Sequence, residues 1–66
     1  MPKLPEPTGK WRVQDGYERS AYEDRWTFPA DKRTQAMKWY NGLNTGNGYK
    51  KRLIDPNGKI VARYLS

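Results

Sequence analysis

The chain of 66 residues contains no cysteine and no histidine. The first absence excludes disulfide staples, and the two together exclude the usual structural zinc site, so the fold must rest on packing or on a partner. Long apolar runs are missing as well. A secretory signal needs an apolar stretch of roughly 7 to 15 residues and a membrane span about 20, and the sequence holds neither. The expectation is a soluble, cytoplasmic protein. Leu, Ile, Val and Phe together number nine against a net charge of +6, a balance close to that of disordered chains. Three tryptophans and five tyrosines argue for folding, because each offers a large area to bury. A chain this short hides only about 60% of the surface it exposes when unfolded, so it forms one domain at most.

The missing residue types also weigh against catalysis. Without histidine or cysteine, the commonest general base and the two best soft metal ligands are gone. Of the seven carboxylates, Asp15 and Asp55 read as turn residues and Asp31 as a helix-start residue. Glu23 and Asp24 are neighbours on a strand and point to opposite faces, which spoils them as an acid–base pair or a shared metal site. No enzymatic activity, metal or cofactor is expected.

What is present divides into an arm and a domain. "MPKLPEPTG", residues 1–9, has three prolines and reads as extended. From Lys10 the pattern has period two, with Trp11 and Val13 on one side and Lys10, Arg12 and Gln14 on the other. Asp15-Gly16 signals a tight turn. A second alternation sets Tyr22, Asp24, Trp26 and Phe28 against Glu23, Arg25 and Thr27. Pro29 suits a first helical position, Asp31 suits the positive end of the dipole, and Ala36, Trp39, Tyr40 and Leu43 form the apolar stripe of the helix. Asp55-Pro56-Asn57-Gly58 is a type I turn that pairs two closing strands. If Ile54 faces Ile60 across it, Tyr49, Leu53, Val61 and Leu65 form the core side with Lys51 and Arg63. Ile54, Ile60, Ala62 and Tyr64 then share the other side with Lys50 and Arg52. The expected fold is α+β, in the order β-β-α-β-β: a small antiparallel sheet of three to four strands with one helix on one face, spanning residues 10–66.

"NTGNGYKKR", residues 44–52, resembles a phosphate-cradling loop at first sight. A nucleotide-binding P-loop, however, needs four residues between its first glycine and a Gly-Lys pair, and a helix afterwards. Here a strand follows, so the stretch reads as a helix-to-strand connection, with a small anionic ligand such as a nucleotide as a fainter reading.

The arrangement of cations carries more. With Trp11, Trp26 and Leu53 facing the helix, the opposite face displays Lys10, Arg12, Arg25, Lys50 and Arg52, interleaved with Gln14, Thr27 and Tyr64, and Glu23 is their acidic neighbour. Such a face suits neutralisation of phosphates, with Arg making planar two-point contacts and Tyr stacking or reaching base edges. A solvated sheet face in a chain that is 30% charged also carries charges for solubility alone. Ile54 and Ile60 beside Tyr64 make an apolar patch that solubility would not favour. The leading expectation is a small non-enzymatic nucleic-acid-binding protein of a phage or mobile element, with DNA favoured over RNA. The alternative is a protein-binding inhibitor or adaptor, for example a phage protein blocking a host factor, that docks Ile54, Ile60 and Tyr64 with their basic rim on an acidic protein surface.

"GKWRV", "RWTF" and "AMKWY" on a helix resemble the three-stranded-sheet-plus-helix DNA-binding domains of AP2-like proteins and of the amino end of tyrosine-type integrases, over Gly9 to Leu43. In those domains the sheet enters the major groove. The resemblance therefore implies base or backbone contacts from Arg12 and Arg25, with Arg19 as a third. The closing hairpin departs from that pattern, in which the helix finishes the domain.

Overall fold

The computed structural model describes residues 6–43 and 46–65. Four strands and one helix form in the expected order: β1 (Lys10–Tyr17), β2 (Glu23–Pro29), α1 (Arg33–Asn41), β3 (Tyr49–Ile54) and β4 (Ile60–Leu65). The sheet is antiparallel throughout, with spatial order β2-β1-β3-β4, so the helical crossover brings β3 beside β1. These two strands supply the centre of the core. Trp11 and Val13 from β1 and Tyr49 and Leu53 from β3 are buried with Ala36, Tyr40 and Leu43 from the helix and its end, and Trp26, Phe28 and Ala62 pack around them. Val13 and Leu53 are wholly inaccessible, and each side chain buried so contributes about 1.5–3 kcal/mol. Among the described residues no helix is long and apolar enough to cross a membrane.

Several local expectations are corrected. Asp15 and Gly16 lie inside β1; the chain reverses after Tyr17, where the Ser20 amide donates to the Tyr17 carbonyl at 2.9 Å and the Ser20 hydroxyl accepts the Tyr17 amide at 2.9 Å. Pro29 closes β2 and does not open the helix. Its carbonyl accepts the Lys32 amide, and the helix begins at Arg33 with no acidic residue in its first turn. Trp39 lies outside the core: it is 48% exposed and rests on Trp26 with ring centroids 4.9 Å apart. The Asp55–Gly58 turn forms as expected, with the Asp55 carboxylate accepting the amides of Asn57 and Lys59 and Gly58 taking a φ of 87°.

Lys51 settles how the helix ends. It points to the helix side, as expected, and is 5% exposed. Its Nζ donates to the Tyr40 carbonyl at 2.8 Å and the Leu43 carbonyl at 3.4 Å and lies 4.5 Å from the Tyr40 ring centroid. A cation thus sits at the negative end of the helix and shares the Tyr40 carbonyl with the Leu43 amide, which donates to it at 3.2 Å.

Two β-bulges change which residues share a face. Val13 pairs with Trp26 while Gln14 pairs with Asp24, so Arg25 is an extra residue in β2. Ile54 pairs with Ile60 while Leu53 pairs with Ala62, so Val61 is an extra residue in β4. Each bulge shifts the alternation by one, and everything on its far side changes face. Ala62 and Tyr64 therefore lie on the helix side with Leu53 and Lys51, and Arg63 and Leu65 lie on the opposite side with Arg52 and Lys50.

Of the arm, residues 6–9 lie against the domain, with the Gly9 amide donating to the Pro56 carbonyl at 3.0 Å; residues 1–5 are outside those described. The molecule is a slab of 32 × 29 × 15 Å, thin because one helix covers one side of the sheet only.

Candidate functional site

The sheet face opposite the helix is defined by the register. Partners across antiparallel strands point the same way, so Lys10, Arg12 and Gln14 of β1 share this face with Lys50 and Arg52 of β3, Arg63 of β4, and Thr27 and Asp24 of β2. Among the described strand residues, five cations meet here with one carboxylate, that of Asp24.

A glycine shapes the middle of this face. Gly16 stands opposite Lys50, and a Cβ there would come within 2.9 Å of the Ala21 carbonyl oxygen, 3.4 Å of Ser20 Oγ and 3.5 Å of Lys50 Cε. The missing side chain lets the segment between β1 and β2 cross over the strand. That crossing lays the Tyr22 ring on β3, with its centroid 3.9 Å from the Arg52 guanidinium carbon and 4.5 Å from Lys50 Nζ. Both distances are within the range of cation–π attraction. Beneath the ring, Arg52 Nε donates to Gln14 Oε1 at 2.6 Å, and Gln14 Nε2 donates to Asp24 Oδ1 at 2.7 Å. Gln14 is 7% exposed, so a chain of bonds satisfies an amide that would be costly to bury alone. Partial burial draws the Arg52 pKa below its ordinary value, while Tyr22 and Asp24 act in the opposite direction.

Arg12 is less available. Its Nη2 donates to the Glu6 carbonyl of the arm, and its Nε is buried without a hydrogen-bond partner among the described residues.

The expected set of Lys10, Arg12, Arg25, Lys50, Arg52 and Tyr64 is thus brought together in part. Lys10, Arg12, Lys50 and Arg52 share the open face. Arg25, the bulge residue, turns to the helix side, with Nε 3.4 Å from Asp15 Oδ2 and its guanidinium 5.7 Å from the Trp26 ring centroid. Tyr64 pairs with Lys51 on the helix side. The Ile54, Ile60 and Tyr64 patch does not assemble: Ile54 is wholly buried, and it lies where the arm returns to the turn after β3. Sequence reasoning missed Tyr22 and Arg63, because simple alternation put both on the core side. The available signal was Gly16, since a lone glycine within a strand pattern marks close approach of another backbone.

Two other features are self-contained. On the helix side, beyond the end of α1, Asp15, Tyr17, Ser20, Glu23, Arg25 and Tyr49 line a cleft of about 320 Å³. There the Tyr49 hydroxyl donates to Asp15 Oδ2 at 2.6 Å, and burial together with that bond pushes its pKa up to about 12. In the glycine-rich connection, the Tyr49 amide donates to the Gly46 carbonyl and the Gly48 carbonyl accepts the Glu18 amide. The described part is thus tied to the protein itself; Asn44 and Thr45 lie outside the described residues.

No family model matches the chain, and no curated protein or solved structure does.

Proposed function

We propose that this chain is a small, non-enzymatic nucleic-acid-binding protein of the cytoplasm that lays the open face of its sheet on phosphates, with DNA as the favoured partner. The observation that carries this reading is the convergence of Lys10, Arg12, Lys50, Arg52 and Arg63 on one side of a sheet whose other side is occupied by the helix. Cations held on one surface release counterions together when they meet a polyanion, and an aromatic ring among them offers a stacking partner. The resemblance over Gly9 to Leu43 supports the same use of the sheet, with Arg12 on the contact face and Arg25 removed from it by the bulge.

The test is charge reversal at two places with the same change in net charge. Arg12→Glu with Arg52→Glu is expected to abolish binding to a DNA duplex, whereas Lys32→Glu with Arg33→Glu, at the start of the helix, changes net charge equally and is expected to weaken binding far less. Equal losses in the two double variants would contradict the reading.

A second reading, an inhibitor or adaptor that docks on an acidic protein surface, is favoured by a separate observation. Val61 and Leu65 on the edge strand β4 are 45% and 64% exposed, whereas the opposite edge, β2, carries Glu23, Asp24, a bulge at Arg25 and Pro29, devices that discourage strand pairing. Affinity capture with and without nuclease distinguishes the readings. Recovery of one protein regardless of nuclease supports the second.

A further inference from the structure

Arg52 differs from the other cations of the open face in how firmly its head group is held. Three separate groups act on it: Gln14 Oε1 accepts its Nε–H, Asp24 accepts the amide nitrogen of that same Gln14, and the Tyr22 ring covers the guanidinium plane. The order of the chain is chemically forced. A carboxylate only accepts, so the NH₂ end of Gln14 must face Asp24 and its oxygen must face Arg52. With Nε engaged, the Nη1–Nη2 edge is the one that remains to match two phosphate oxygens.

We infer that Gln14, Asp24 and Tyr22 are positioning residues that fix Arg52 as the two-point phosphodiester contact of this face. The inference rests on the nucleic-acid reading and goes further: affinity depends on the orientation of one guanidinium as well as on the sum of charge. A carboxylate at the edge of a cationic surface then assists the binding of a polyanion. Removing Asp24 raises the net charge from +6 to +7, which counterion release alone would convert into tighter binding. Loosening Arg52 acts in the opposite direction, because a contact that must first be ordered is weaker than one already in place.

The experiment measures fluorescence anisotropy of a labelled DNA duplex with the full chain at fixed salt, together with the ¹⁵N–¹H heteronuclear NOE of Arg52 Nε in the unbound protein. Asp24→Ala is expected to weaken binding roughly three- to tenfold in spite of its extra positive charge. Asp24→Asn, which keeps an oxygen for the Gln14 amide, is expected to bind at least as well as the wild type. Tyr22→Leu, which leaves net charge unchanged, is expected to weaken binding in the same way as Asp24→Ala. The Arg52 Nε–H should be rigid in the wild type and in Asp24→Asn and mobile in Asp24→Ala. A wild type that binds, with Asp24→Ala binding equally or more tightly, overturns this inference and leaves the nucleic-acid reading standing. Equal mobility of Arg52 Nε in wild type and Asp24→Ala overturns it from the structural side. A wild type that does not bind DNA removes both.

Discussion

Lys51 and Tyr49 stand two residues apart on the same side of β3, and both are polar groups used inside the molecule. Replacing Lys51 with methionine keeps most of its apolar stem but removes the ammonium donor from the Leu43 carbonyl and one of the two donors from the Tyr40 carbonyl. The expected loss is about 1.5–3 kcal/mol, the range for a hydrogen bond to a charged group, read from the urea midpoint. Burial lowers the Lys51 pKa below 10.5. For this residue the unfolded chain binds the proton more readily, so its contribution to stability rises as pH approaches 10.5. Tyr49 acts in the opposite direction. Its pKa is about 12 against 10.0 for an unperturbed tyrosine, so its contribution is complete below pH 10 and is lost as pH rises from 10 towards 12. The Tyr49→Phe variant should therefore lose less stability than the wild type between pH 10 and pH 11.5 in urea titrations. Identical losses would remove Asp15 and burial as the source of the shift.

At the scale of elements, the strands, the helix and the final turn were legible because each has its own period or turn chemistry. Trp11 and Val13 alternate with Lys10 and Arg12, and Asp55-Pro56-Asn57-Gly58 closes a hairpin. The faces of β2 and β4 were not legible in full. A bulge adds one residue with no fixed composition, so Arg25 and Val61 look like ordinary members of an alternation while reversing everything on one side of them. The helix start was misplaced for a related reason: Pro29 satisfies the preferences of a first helical position and equally those of the last residue of an edge strand. The loop that carries Tyr22 depends on Gly16. Gly16→Ala pushes a methyl group against the Ala21 carbonyl, a backbone atom that can yield only if the loop moves. The expected cost is about 1–3 kcal/mol, the range for overpacking. Displacement of Tyr22 should also remove the ring-current shift of the Lys50 side-chain protons in NMR spectra. An unchanged Lys50 shift would mean that the loop tolerates the methyl group in place.

The whole molecule is a 15 Å slab with an apolar interior on one side of the sheet and, on the other, a cationic surface with the exposed Leu65 at its β4 edge. Four of the expected contact residues could be placed from the sequence because they lie on strand segments before the bulges or away from them. Tyr22 could not, since its position follows from a backbone crossing. If four to five phosphates are neutralised, duplex affinity should fall roughly 150- to 500-fold between about 50 and 200 mM salt, by the slope of about −0.9 per phosphate. An interface built mainly on Val61 and Leu65 would change little over the same range. The most direct measurement is an amide and side-chain NMR titration of the intact chain with a DNA duplex. Lys10, Arg12, Gln14, Tyr22, Lys50, Arg52 and Arg63 should shift together, while Arg33 to Asn41 of the helix remain in place. Shifts centred on the helix or on the Trp26–Trp39 pair, with the open face unmoved, would contradict the assignment of that face as the contact surface.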